Sequence, residues 1–174
     1  MNKNWHGLLE VLEVKHIRNN QVIWQNFNLH NILHTQGEEF ILKALFSNLI
    51  TKPTYYYFGL DNRDNILLDD TLLSLNGEPQ VHNYSRQAAN STDDWTFALI
   101  DGSMQARSLI LTFGAYGGSW GPIRNLFLTT QIQEDPEEDG YLISSIYLGN
   151  SSITVTSGDS ISLRMAVKLR NCIT

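Results

Sequence analysis

Apolar positions recur along this chain at two periods, and the expected fold follows from where each one holds. From Ser160 onward the period is two. Ile161, Leu163, Met165, Val167 and Leu169 share one face, and Ser162, Arg164, Ala166, Lys168 and Arg170 the other. This pattern predicts a strand over Ser160 to Leu169, with one face packed and the other wet or against a partner. Leu8 to Ile17 and Val22 to Leu29 are strand-like as well, separated by Arg18, Asn19, Asn20 and Gln21. Asparagine tolerates the left-handed backbone of a tight reversal, so the two runs predict an N-terminal hairpin. Neither face of its second arm is purely apolar, which makes that arm peripheral. Further strands are expected at Tyr55 to Leu60, Trp95 to Ile100, Ala106 to Phe113, Ile123 to Thr130, Tyr141 to Leu148 and Ser152 to Thr156. Turns are expected at Gly149-Asn150 and Gly158-Asp159.

The helical period holds once, from about Thr35 to Asn48, where Phe40, Ile41, Ala44, Leu45 and Leu49 form a stripe. Thr35 with Glu38 three residues on reads as a capping box, and Glu38 and Glu39 suit the positive end of the helix dipole. The helix is expected to lie across one end of a sheet. Many short strands, one helix and no alternating βα units predict a mostly β chain. The expected architecture is an antiparallel β-sandwich or jelly roll with one short α-helix at about 35–48. With 174 residues it forms one domain: residues 1–29 as a hairpin arm and contact segment, residues 30–174 as the sandwich.

Composition narrows the function classes. Charged residues make up 17% of the chain, below the average of about 25%, which leaves room for broad contact surfaces. The net charge of −6 and the lack of a Lys/Arg cluster argue against nucleic acid as a partner. Cys172 is the only cysteine, so an intrachain disulfide and a multi-cysteine metal site are both excluded. Met1 to Gly7 is polar and no long apolar run follows. Neither a signal peptide nor a bilayer span is expected, and the chain reads as soluble and made in a cytoplasm.

No catalytic constellation stands out. His6, His16, His30, His34 and His82 raise the question of zinc, but the i, i+4 pair His30 and His34 precedes the helix and lacks a third ligand. Asp61, Asp64, Asp69 and Asp70 could gather around calcium, yet their spacing misses the EF-hand pattern and a solvated loop is the favoured reading. No cofactor and no metal are expected. Gly114 to Gly121 lacks the Lys-Ser or Lys-Thr of a phosphate loop, and Glu134 to Asp139 reads as a solvated acidic loop. The serines lack a nucleophile elbow, and eighteen acidic residues make any carboxylate pair uninformative without geometry. The surplus lies in aromatics: Trp5, Trp24, Tyr55, Tyr56, Tyr57, Trp95, Tyr116 and Trp120. About half of these belong in a core by the usual behaviour of aromatics. Trp5, Trp24, Tyr116 and Trp120 are taken as candidate contact residues.

The order of motifs carries a resemblance. Thr-x-Gly-Glu-x-Phe-Ile-Leu-Lys-Ala-Leu-Phe (Thr35 to Phe46) precedes Tyr-Tyr-Phe-Gly-Leu-Asp-Asn (Tyr56 to Asn62) and Asn-Tyr-Ser-Arg-Gln-Ala (Asn83 to Ala88). Gly-Ser-Trp-Gly-Pro-Ile-Arg-Asn-Leu-Phe-Leu (Gly118 to Leu128), Leu-Ile-Ser-Ser (Leu142 to Ser145) and the run from Ser152 to Leu163 follow. From about residue 30 onward this succession resembles small structural proteins of tailed bacteriophage virions. The resemblance implies a β-sandwich, no enzymatic activity and a place on the particle, as a capsid decoration (cement) protein or a tail, baseplate or fibre-attachment component. The implied partners are copies of itself, a trimer among them, and virion proteins such as the major capsid protein. Neither nucleic acid nor membrane is among them. A rival of another class is a jelly roll that binds or cleaves carbohydrate, for which Asp61 and Asp64 are the residues to change.

Overall fold

The computed structural model describes residues 8–100, 102–132, 140–149 and 153–168. Trp5, His6, the acidic loop Glu134 to Asp139, Asn150 of the Gly149-Asn150 turn and Cys172 lie outside the described residues. So do the outer ends of the expected strands at Ser152 and Leu169.

Among the described residues the molecule is an antiparallel β-sandwich with one α-helix. Its first sheet contains β1 (Leu8–Arg18), β2 (Gln21–His30), β6 (Trp95–Ile100), β7 (Ser103–Ser108), β8 (Leu111–Gly114) and β13 (Ser160–Lys168). The order is β2-β1-β13-β7-β6, with β8 also on β13. The second runs β3 (Ile32–Leu33), β11 (Leu142–Tyr147), β10 (Asn125–Thr129), β4 (Tyr55–Asp61), β5 (Gln87–Asn90). A two-stranded ribbon joins β9 (Trp120–Ile123) to β12 (Ile153–Val155). Helix α1 spans Thr35–Phe46, and a short 3-10 turn spans Leu72–Ser74.

The N-terminal hairpin forms as its turn chemistry requires, with Asn19 and Asn20 both at positive φ (50° and 60°). Strand β1 also pairs with β13 over nearly its whole length and buries Val11 and Val14 completely. On β13, Ile161, Leu163 and Met165 face the core as the alternation predicts, while Ala166 on the opposite face is buried as well.

The expected single strand Ala106 to Phe113 is in fact two. At Ser108 the chain leaves the β13 ladder, and the Ser108 hydroxyl substitutes for it, accepting the Met165 N–H at 3.0 Å and donating to the Leu109 carbonyl at 2.8 Å. Strand β8 then rejoins β13 further along. The expected Ile123 to Thr130 strand forms as β10, with Ile123 the last residue of β9, and β3 and β5 carry too few residues to have shown a period.

Strand β10 is buried on both faces. Leu126 and Leu128 enter the core between the sheets, while Phe127 points outward into a second cluster with Ile66, Leu72, Leu75 and Leu142. The segment 62–86 thus forms a third layer over the second sheet. The reading of Asp61 to Asp70 as a solvated loop holds in part: Asp64, Asn65, Leu67, Leu68 and Asp69 are exposed, but Asp61 and Ile66 are fully buried. Gly59 lies under the Phe127 ring, where an added Cβ would sit 2.0 Å from it.

Helix α1 also departs from expectation. No capping box forms; His34 is the N-cap, its carbonyl accepts the Glu38 N–H at 2.9 Å, and the helix ends at Phe46. The cause is β3, which pairs Leu33 with Ser144 and so brings His34 inside before the helix starts. Phe40 is buried, but Leu45 and Leu49 of the expected stripe are exposed. Gln36 fastens the first turn, donating to the Gly140 carbonyl and accepting the N–H groups of Leu72 and Leu142.

Gly37 allows α1 to cross β11, since a Cβ there would meet the Ile143 carbonyl oxygen at 2.1 Å. Helix propensity alone favours Gly37→Ala by about 1 kcal/mol, but overpacking against backbone costs about 1–3 kcal/mol and should win. The variant is expected to unfold at lower urea concentration than the parent; an unchanged or higher midpoint would show that α1 lifts freely from β11.

Candidate functional site

The two sheets do not cover one another completely. On β6, Trp95, Phe97 and Leu99 share the inward face by the period of two. Trp95 is met by the opposite sheet, edge-on to Tyr56 at 6.3 Å and stacked on Phe58 at 6.4 Å. Beyond it that sheet stops, and Phe97 and Leu99 are left 72% and 70% exposed, beside Met104 of β7 at 60%. A cleft of about 250 Å³ opens there between α1 and the β6–β7 hairpin. Phe40, Ile41, Trp95, Phe97 and Val167 are among its walls, and Lys52 and Ser91 are its polar contributors. Along α1, Leu45 stands one turn beyond Ile41, and Leu42, Phe46 and Leu49 are more than half exposed too. Apolar surface therefore runs from the cleft on to both of its rims.

None of the expected contact residues that the structure describes lies on this surface. Tyr116 is exposed, on the loop between β8 and β9. Trp24 is half-buried on β2 and packs against the main core. Trp120 is corrected: it is 2% exposed, edge-on to Tyr84 at 5.4 Å, and donates its indole N–H to the His82 carbonyl. An aromatic followed by Gly-Pro reads as a loop tip, but β9 pairs with β12 and draws it inward. The rim residues Phe46, Leu49, Phe97 and Leu99 were missed because their periodicity equals that of core positions. No sequence signal says where the covering sheet ends.

The buried ionisable groups are paired within the chain. Asp159 accepts from His16 Nε2 at 2.8 Å, from two nitrogens of Arg18 and from the Thr156 N–H and hydroxyl, locking the 156–159 turn to the end of β1. The Arg18 hydrogen bonds, reinforced by those from Thr156 and His16, hold its carboxyl well below the ordinary range. Arg86, itself buried, makes a bidentate pair with Glu78 and lies 5.2 Å from the Phe127 ring centroid. Glu78 also accepts the Tyr84 hydroxyl, whose acidity burial weakens strongly.

Asp61 is bound by Arg63 and by the Asn125 amide, Asp70 by Arg63 and the Leu67 N–H, and Asp64 by Arg124. Arg63 thus bridges Asp61 and Asp70, and Asp64 is drawn away to Arg124. Among the described residues no three His, Cys, Asp or Glu side chains gather where they could share a metal ion. Nor does any carboxylate line the cleft. Likewise, among the described residues no helix is long and apolar enough to cross a membrane.

His34 is fully buried, with Nδ1 3.3 Å from the Leu68 carbonyl and Nε2 2.8 Å from the Ser145 hydroxyl. A carbonyl only accepts, so Nδ1 carries the proton and Nε2 accepts from Ser145. Burial lowers its pKa, outweighing the Leu68 carbonyl and nearby Asp70, while Arg63 acts in the same direction as burial. The unfolded chain then takes up this proton before the folded one. Stability should fall as pH drops below the ordinary histidine value of 6.5. A second loss should begin below 3.8, where unfolded Asp159 protonates while the folded carboxylate resists. Urea unfolding as a function of pH should show both slopes. His34→Gln should flatten the upper one alone; a variant that keeps it would assign that proton elsewhere.

Comparison with models of protein families, with curated proteins and with solved structures finds no match to this chain.

Proposed function

We propose that this chain is a non-enzymatic structural protein of a virion, foremost a capsid decoration protein, which stabilises the particle by seating its open end on neighbouring polypeptides. The observation that carries the reading is the apolar rim. Leu45, Phe46, Leu49, Phe97, Leu99 and Met104 are between 60% and 82% exposed, on or just after α1 and on the β6–β7 hairpin, the two elements whose Ile41 and Phe97 line the apolar cleft. Exposed patches of this kind mark contact sites on soluble proteins. Burying one such side chain is worth about 1.5–3 kcal/mol, so a few together can offset the cost of association. A decoration protein needs that arrangement, because contacts bridging several subunits add free energy to the shell and not to the loose subunit.

The place on a virion comes from the succession of motifs from Thr35 to Leu163. A tail, baseplate or fibre-attachment role would use the same surface and differs only in the assembly bound. The carbohydrate reading has less support. A sugar in this cleft would leave most of its hydroxyls without partners, and Asp61 is held by Arg63 in the layer on the far side of the second sheet.

Purified chain should sediment with empty capsids and raise their melting temperature. Replacing two rim residues, as in the Phe46→Glu, Leu99→Glu variant, should weaken binding at least roughly 100-fold while leaving the chain's own melting temperature nearly unchanged. Sedimentation with tail assemblies alone would move the role to the tail. Full binding by the variant would refute the rim as the contact, and turnover of host-surface polysaccharide, lost on Asp61→Asn or Asp64→Asn, would replace the proposal altogether.

A further inference from the structure

Strand β2 is the outermost strand of the first sheet, pairing with β1 on one side and, among the described residues, with no strand on the other. A free edge is a template for another strand, and proteins blunt such edges with short length, charge or proline. Of the other outermost strands, β3 has two residues and β5 four; β6 has six and is likewise uncharged, but Asp94 stands immediately before it and Asp101 immediately after. β2 has ten residues, Gln-Val-Ile-Trp-Gln-Asn-Phe-Asn-Leu-His, with no Lys, Arg, Asp, Glu or Pro among them, and its irregularities, Asn28 at a φ of 53° and the register shift between Val22 and Trp24, leave the central stretch around Gln25 regular. Val22, Ile23 and Phe27 are about half exposed along it.

We infer that β2 pairs antiparallel with β2 of a second copy about a two-fold axis at Gln25, joining the two first sheets into one. Self-pairing is favoured over a different partner strand by the missing charge. In an isologous contact each residue near the axis meets itself or a near neighbour of its own strand. A charge on the axis itself would be set against its own copy, and Gln25, which stands there, carries none. With the axis at Gln25, Ile23 of each copy faces Phe27 of the other, an aromatic against a β-branched side chain on the outer face, a stabilising cross-strand pair. Trp24 faces Asn26, and the two Gln25 side chains meet at the centre. The Phe27 N–H now donates to the Asn26 side-chain oxygen at 2.8 Å, so this donor is satisfied from within the strand and free to exchange that bond for a ladder bond.

The contact is separate from the apolar rim on α1 and β6–β7, so it is tested without capsids. Sedimentation equilibrium of the full chain should show a monomer–dimer equilibrium. Ile23→Glu, which sets a carboxylate against Phe27 of the partner, should weaken the dimer at least roughly tenfold. The double variant Ile23→Glu, Phe27→Lys should restore it, because each introduced carboxylate then meets an introduced ammonium across the axis, and salt should weaken this restored dimer. A second reading is independent of these charges: in a Cys172→Ser background, Gln25→Cys should oxidise to a covalent dimer faster than Thr112→Cys on the outer face of β8. The inference is overturned by a monomer at all concentrations up to about 100 µM. A dimer that Ile23→Glu leaves intact, or one that is lost instead on Phe46→Glu, Leu99→Glu, overturns it equally. Loss of capsid binding by the rim variant, with the β2 dimer retained, leaves this inference standing and concerns the proposed function alone.

Discussion

Strand β10 must be dry on both sides, and most of the chain's less regular features answer that demand. A strand in the middle of a sheet can bury one face against a second sheet, but the opposite face needs a covering of its own. Here the covering is not a helix or another sheet. It is the stretch between β4 and β5, whose Ile66, Leu72 and Leu75 close over Phe127 and Leu142. Irregular backbone is an expensive lid, because its polar groups must be satisfied where water is scarce. That is why the layer carries Asp61 with Arg63, Glu78 with Arg86, and the Tyr84 hydroxyl between the Glu78 carboxylate and the Leu60 N–H. These pairs permit an apolar lid to be made of loop; they are weak evidence of added stability in themselves.

The same economy shapes the two ends of the sandwich. Where the 156–159 turn, the Asn19-Asn20 reversal and the loop around Tyr116 gather, polar groups bind one another and Asp159 is saturated with donors. Where β6 and β7 run past the facing sheet, Lys52 and Ser91 are the polar contributors to the cleft and the hydrophobic face continues into the open. One end of the molecule is thus internally complete, while the other is a core with part of its cover missing. The proposed particle contact supplies that cover, and the uncharged edge of β2 adds a second, backbone-led way for copies to meet.

Much of the fold was legible because its signals are local. The Asn-Asn reversal fixed the first hairpin, β13 showed its alternation plainly, and the Gly and Asp between β12 and β13 marked a turn that forms with Gly158 at a positive φ of 90°. What escaped notice depends on distant residues. The division at Ser108 is dictated by Met165, and the helix start by pairing between Leu33 and Ser144. The burial of Asp61 depends on Asn125, and that of Trp120 on β12. The candidate site suffered most, since an exposed Phe97 and a buried Phe113 obey the same period and differ only in whether another sheet lies opposite.

The pairing of β1 with β13 has a consequence in time as well as in space. His16 and Asp159 are 143 residues apart, so β1 is synthesised long before its second neighbour exists. The β1–β2 hairpin can form early, but the first sheet closes only after β13 arrives, and such distant closures place a fold among the slow ones. In that interval Val11 and Val14 lack their cover while the bare edge of β2 is already displayed. The nascent hairpin is therefore the point at which chains emerging close together are most prone to entangle.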